Sequence, residues 1–502
     1  MTRNAMVATT IFLMFFSAAA FAEPQDENPE VRYVVTKIGE FAGELTDYGC
    51  SYRYTRINNR GQVVWLYVEN RGRNKPDTKE MYYAVVLWEK GKRKILFERS
   101  YRENSNWNSV EIYDFNDAGQ VIGAVRRWSP VFTEKALLKE EKGWPKRALW
   151  RQAFLWTQDG ESQCLGSELR SVSWEKLFLR RGTERLSAHN IAYLGRYGVI
   201  NNRGMIACQG IAPDEITSQR GVTGDRGLFV AQVGSMGLHP IDFTALFRES
   251  GTGSLKPTAI NDLGNVVGVA RSGIGFVWWR DSGKVEKINP PTDSPYKEGE
   301  CCSLVDINDR DQIVGADARA IYSLGGKSVV KQGLPLSAGY AWLWESGQAK
   351  ILEEIAPGEF SEKSLSCLFR TKDKRPERRY DERPVFPYAY PEAINNFGQI
   401  VGAAGQAHVC LNTTFPQAES TAQAAVIWEN GKVTELNLLV PNDAPSLNIA
   451  IDINDYGQII AHGKDAGLYL LTPISLTKGK PVEELELPGK PKRDDELVAL
   501  GD

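Results

Sequence analysis

The chain has 502 residues, with 60 Lys and Arg against 63 Asp and Glu, four His and a formal net charge of −3. Hydrophobic residues make up 42% and charged residues 25%, which excludes a disordered tail, a collagen and a multi-span membrane protein. The balanced charge also lacks the basic excess of a nucleic-acid binder. Forty-six Gly and 13 Trp beside so few His indicate turn-rich β structure with little imidazole chemistry.

Residues 1–22 read as a cleaved secretory signal. Arg3 supplies the positive start, and Ala8 to Phe21 is an apolar run broken only by Thr9, Thr10 and Ser17. Ala20-Phe21-Ala22 then gives the small-x-small pattern before Glu23-Pro24. That run is shorter than the roughly 20 residues needed to cross a bilayer. The mature protein is expected to be exported, to periplasm or medium, with no membrane span. It carries all seven cysteines, an odd number that leaves at least one thiol unpaired or paired between chains. No CxxC or zinc spacing occurs, and adjacent Cys301 and Cys302 are expected to pack or pair separately. Neither metal nor cofactor is expected.

From residue 31 a repeat organises the chain. An apolar residue, Asn, a second Asn or Asp, any residue, Gly, a polar residue and a β-branched pair recur seven times. The first Asn of each copy is Asn58, Asn116, Asn201, Asn261, Asn308, Asn395 and Asn454. Such a segment encodes a tight hairpin. The Asx side chains accept backbone N–H groups, and the Gly suits a positive φ. Asp311 replaces that Gly in the fifth copy, and the third has Met205 where others have Gln or Asn. A further Gly follows at Gly123, Gly268, Gly315 and Gly402, consistent with a close backbone approach.

A second motif, an aromatic and aliphatic strand ending in Trp and followed by a polar Gly turn, recurs around Trp88, Trp156, Trp279, Trp344 and Trp428. Each repeat thus encodes about four strands, the content of a propeller blade. The expected fold is all-β: a single seven-bladed β-propeller over residues 23–473, with loop and helix insertions. Residues 31–40 form a strand that closes the last blade, removing exposed edges. Residues 474–502 are expected to be a mobile tail, with an edge strand at Val482 to Leu487 as an alternative.

The alternation of the Ile-Asn-Asp-x-Gly-Gln-Val-Val-Gly-like segment with an Ala-Phe-Leu-Trp-like segment resembles the HAF family of extracellular repeat proteins. Gln152-Ala153-Phe154-Leu155-Trp156 is the nearest copy of the name-giving tripeptide, with Gln152 where the family has His. The resemblance spans roughly residues 31–473. It implies an exported β-propeller-like protein and no defined reaction.

The seven asparagines are read as turn formers rather than ligands, because calcium needs more converging oxygens than these copies offer. The repeated tryptophans are read as packing between blades. His189, His239, His408 and His462 are scattered, and no catalytic constellation is apparent. Function is therefore sought in insertions. Residues 126–151 mix cations and aromatics, with a short helix expected from Thr133 to Lys142. Arg127, Trp128, Trp144, Arg147 and Trp150 are the candidate ligand-binding residues. Residues 370–383 alternate charge sign and read as a solvated loop, followed by Tyr388 and Tyr390. The leading expectation is a non-enzymatic binding or scaffold module for a glycan or protein ligand. The alternative is a hydrolase acting on extracellular glycans through carboxylates at the central channel.

Overall fold

The computed structural model describes residues 31–40, 54–70, 81–101, 109–130, 147–170, 198–210, 227–233, 239–243, 255–270, 273–291, 302–317, 340–356, 359–365, 385–410, 417–478, 480 and 484–485. The expected signal at 1–22, Trp144 and the Thr133–Lys142 helix lie outside them. Within them the chain is built almost wholly of 28 strands, arranged as seven four-stranded antiparallel sheets.

After β1 (Tyr33–Glu40), blade 1 contains β2 (Thr55–Ile57), β3 (Val63–Asn70), β4 (Met81–Glu89) and β5 (Lys92–Tyr101). Blade 2 contains β6 (Ser109–Phe115), β7 (Val121–Pro130), β8 (Arg147–Trp156) and β9 (Ser162–Arg170). Blade 3 has β10 (Gly198–Ile200), β11 (Met205–Gly210), β12 (Gly227–Gln232) and β13 (His239–Pro240). Blade 4 has β14 (Lys256–Ile260), β15 (Val266–Val269), β16 (Gly275–Trp278) and β17 (Val285–Ile288). Blade 5 comprises β18 (Cys302–Ile307), β19 (Ile313–Asp317), β20 (Ala341–Glu345) and β21 (Gln348–Ile351). Blade 6 comprises β22 (Val385–Ile394), β23 (Ile400–Cys410), β24 (Gln417–Glu429) and β25 (Lys432–Glu435), preceded by a helical turn α1 (Glu362–Leu365). Blade 7 takes β26 (Leu447–Ile453), β27 (Ile459–Gly463) and β28 (Gly467–Pro473), with β1 as its outermost strand. The first strands of successive blades touch in cyclic order, β26 meeting β2, so the sheets form a closed seven-bladed propeller.

Each blade is clamped between two others, so both faces of its strands are apolar. Seven core clusters result, each filling the space between consecutive blades. In β3 the period-2 geometry sends Val64 and Leu66 into the cluster shared with blade 2, and Val63 and Trp65 into the one shared with blade 7. Trp88, Trp156 and Trp428 are sealed at 4% exposure or less. Trp279 falls outside this series. The residues opposite Val63, Val121, Val266, Ile313 and Ile400 are Trp88, Trp156, Trp278, Trp344 and Trp428, so in blade 4 Trp278 holds the repeated position. Trp279 and Trp344 are only half-buried and pack on each other, with ring centroids 6.2 Å apart. Phe276 and Trp342 fill the deep core of blades 4 and 5 instead.

The extra glycines have a geometric cause. In blades 2, 4, 5, 6 and 7 the first strand carries a bulge one residue before the position two ahead of the repeat Asn. In blades 2, 4 and 6 the kink drives a carbonyl over the second strand. A Cβ on Gly402 would lie 2.0 Å from the Tyr390 oxygen, and one on Gly123 2.3 Å from that of Glu111.

Closure fastens β1 at several points. It pairs with β28 from Tyr33↔Pro473 to Glu40↔Gly467, and Tyr33 and Ile38 are buried at 2% and 1% exposure. Just before it, Arg32 holds Glu429 of blade 6 through two hydrogen bonds of 2.7 and 3.1 Å. The segment after blade 7 does not begin as an unstructured tail. Ile474–Thr477 forms a helical turn, α2, whose Ile474 N–H donates to the Arg32 carbonyl, and Leu485 packs against the cluster between blades 7 and 1.

Deleting residues 23–40 should markedly lower the melting temperature, by removing two buried side chains and leaving β28 as an open edge. Gly402→Ala should cost about 1–3 kcal/mol in urea unfolding, since the obstruction is backbone and cannot rotate away.

Candidate functional site

The two ends of the ring differ. Every connection between first and second strands is a turn of four or five residues, and these seven turns converge on one end of the axis. Connections between second and third strands, and between blades, leave from the other end. These are long in most blades: 16 residues separate β7 from β8, and 27 separate β9 from β10.

At the turn end all seven repeat asparagines are buried at 2–4% exposure, and six of them, all but Asn116, line the channel wall. Each side-chain amide donates to the backbone carbonyl of the equivalent Asn in the next blade. Asn58 reaches Asn116, which reaches Asn201, then Asn261, Asn308, Asn395 and Asn454, and Asn454 returns to Asn58. These bonds run from 2.9 to 3.1 Å. The Oδ1 atom meanwhile accepts from the backbone N–H four residues on, as from Gln62 to Asn58 and Gln458 to Asn454. The turn glycines take φ from +70° to +91°, and Asp311 takes +59°.

A second ring lies beside the first. The backbone N–H of Asn59 donates to Asp117, and the same contact runs on through Asn202, Asp262, Asp309, Asn396 and Asp455 back to Asn59. The repeat Asn and the Asn or Asp that follows it are therefore both occupied by the protein's own groups. They leave no set of converging free ligands, and no group of three His, Cys, Asp or Glu among the described residues is arranged to hold a metal ion.

One layer deeper, two residues before the repeat Asn, stand Arg56, Asp114, Asp306 and Asp452, with Val199, Ala259 and Ala393 in the remaining blades. All four charged residues line an axial cavity of about 190 Å³. First strands present their unpaired edges to this channel, and the aspartates cover them. Asp114 accepts from Phe115 and, across the blade boundary, from Ile200; Asp306 accepts from Ile307 and Ile394; Asp452 accepts from Ile453 and Ile57. Loss of hydration pushes all three carboxyls up, Asp306 to about 7 and Asp452 to about 6. Asp117 is also raised by burial, against the pull of its hydrogen bonds from Asn59. Sequence reasoning missed these residues. Their signal was the recurrence of Asp-x-Asn in three copies, at a position facing the middle of the molecule.

The candidate ligand residues lie toward the end with long connections. Arg127 and Trp128 are on β7, Arg147 and Trp150 on β8, and the backbone pairs Arg127 with Trp150 and Pro130 with Arg147. The stretch expected as an insertion loop is thus a strand-paired arm at both its ends. Tyr388 and Tyr390 lie on β22, and both are half-buried. Among the other expected elements, Cys208 is a free thiol at 1% exposure, and burial pushes its pKa up. Among the described residues no helix is long and apolar enough to cross a membrane.

No protein-family model matches the chain, and no curated protein is similar to it. Solved structures are similar at low identity. The β-propeller domain of Myceliophteria thermophila Cps50 (Swd1) is 10% identical, with 88% of this chain and 100% of that one covered and a TM-score of 0.35. A chain of a mitotic checkpoint complex is 8% identical over 93% and 99%, with a TM-score of 0.39. The Malassezia sympodialis allergen Mala s 1 is 8% identical over 75% and 93%, with a TM-score of 0.30.

Asn308→Ala should destabilise the protein by at least about 2 kcal/mol, because the Asn395 carbonyl and the Arg310 and Gln312 amides all lose a buried partner. Asn308→Asp should not rescue it. That change restores the acceptor but sets a carboxylate against the Asn395 carbonyl and Gln312 Oε1. Chemical denaturation of the three proteins measures both effects.

Proposed function

We propose that the protein is an exported binding or scaffold module whose ligand is taken by the end of the ring carrying the long connections. One observation carries this reading: the first turn of every blade is short and bonded to its neighbours, whereas the connections that vary in length gather at the opposite end. Loops on a rigid frame are where recognition residues concentrate, and a closed ring is such a frame. The arm formed by β7 and β8 is the foremost contact region. Arg127, Trp128, Arg147 and Trp150 lie along it, and Trp144 falls within the residues that join its strands. Cations beside aromatic rings suit stacking on a sugar or pairing with an acidic protein surface. The proposed export rests on residues 1–22, and the proposed kinship with HAF repeat proteins on the repeat itself.

The purified protein should retain a ligand from a glycan array or a set of extracellular proteins and show no turnover of chromogenic glycosides. Trp144→Ala and Trp150→Ala should each weaken that binding at least about tenfold, in the range of an aromatic anchor, with the melting temperature unchanged. Binding indifferent to both substitutions would discard the arm as the contact region. Glycoside turnover abolished by substituting one channel carboxylate would replace binding with hydrolysis.

A further inference from the structure

We propose that Asp306 is a proton-operated clasp between the fifth and sixth blades. Its carboxylate spans two amides, Ile307 on its own strand at 2.8 Å and Ile394 across the boundary at 2.9 Å. Ile394 ends β22, which carries Tyr388 and Tyr390 in its middle and runs on to Val385 toward the long connections. That strand is paired with β23, which continues into the 13-residue β24. The clasp therefore sits at the foot of the blade with the longest strands in the ring.

Asp114 and Asp452 make the same bridge, but their surroundings differ. Arg56 occupies the equivalent position on blade 1, between the blades that carry them, and its guanidinium favours the charged form of both. Asp306 stands across the ring from it. The neighbouring charges that act on Asp306 are carboxylates, Asp452 and Asp114, and both resist its ionisation. Apart from Arg56 and the Tyr113 phenol, the other titratable groups facing the same cavity are also acidic: Glu392 on β22, and Asp262, Asp309, Asp117 and Asp455 at the turns. A half-buried carboxyl with its hydration reduced, no cation beside it and like charges around the cavity takes up its proton well above the ordinary carboxylate range.

Protonation changes what this group can hold. The carboxylate offers an acceptor oxygen to each amide. The acid keeps one good acceptor, and its other oxygen becomes a hydroxyl, so one grip weakens as the cost of a partly desolvated charge disappears. Because the folded form binds this proton more tightly than the unfolded chain, whose Asp titrates near about 4, the group's contribution to stability falls as pH rises toward about 7 and then levels off. Asp306→Asn cannot ionise and escapes that fall.

Burial lowers the pKa of His462, whose contribution to stability runs in the opposite sense, so the test is a difference between proteins. Thermal unfolding of full-length wild type and Asp306→Asn is followed from about pH 5 to about pH 8. The melting temperature of the variant minus that of wild type should rise by several degrees across that range, and a flat difference would overturn the clasp. Amide exchange at Ile394, corrected for intrinsic rate, should show protection growing several-fold with pH in wild type alone; growth in both proteins, or in neither, tells against it. If the variant fails to fold, carboxyl NMR of wild type decides. A midpoint for Asp306 above about 6 supports the proposal, and one below that value refutes it.

Discussion

The architecture hangs on a hydrogen bond that crosses from blade to blade. A propeller has no sheet hydrogen bonds between its blades, which touch through apolar side chains that attract without direction. Packing alone would allow neighbouring sheets to slide and tilt. The Asn side chain supplies the missing direction, shaping its own turn with one end and gripping the next blade's carbonyl with the other. Seven such contacts made head to tail form a closed circuit, so no blade can shift without breaking bonds on both sides. Because every donor and acceptor is buried, each broken bond leaves a polar group without water, which makes the circuit costly to open.

An odd number of blades shapes the second ring. Asn and Asp alternate around it, and the amides of Asn59, Asn202 and Asn396 reach the carboxylates of Asp117, Asp262 and Asp455. Alternation cannot complete seven places, and the break falls between Asp262 and Asp309. Two other departures from the repeat, Asn265 and Asp311, fall at the same boundary. Asn265 stands where most copies have Gln, whose oxygen normally accepts from the repeat Asn, as Gln312 does from Asn308. The shorter Asn265 is not paired with Asn261 in that way, and Asp311 of the next blade takes over, accepting from both at 3.0 and 2.8 Å. Asp311 thus carries a left-handed backbone that would suit Gly, and its carboxylate supplies the acceptor that a Gln would have offered within blade 4. Met205 has no such substitute, and the Asn201 amide keeps its bond to the next blade.

The fold was legible because its signals are local and repeated. Turn chemistry at Asn-Asx-x-Gly, alternation on both sides of it and a Trp ending the third strand each depend on a few adjacent residues. Sevenfold recurrence removes the ambiguity of any single copy. What escaped was geometry between copies. That the asparagines bond each other in a circle requires knowing that their turns meet, and the same holds for Asp114, Asp306 and Asp452. Trp279 was misassigned because Trp278-Trp279 offers two rings, and only strand register selects one. The arm at 126–151 read as a loop because Arg126, Arg127 and Trp128 carry no turn signal and no clean alternation, yet their backbone continues β7.

The uneven ends follow from the same circuit. A turn whose Asn, Asx and Gly are all committed to neighbours tolerates no insertion, since one added residue would move an amide out of reach of the next carbonyl. The opposite connections are under no such constraint. They can lengthen at an entropic cost that grows only slowly with length, and lengths of 16 and 27 residues in the second blade and after it show that they have. The directional ring at one end is thus what permits variety at the other. Asp306 is set between them. It sits one layer beneath the ring, on the strand edge that runs toward the variable end, where a change in its charge can bear on both.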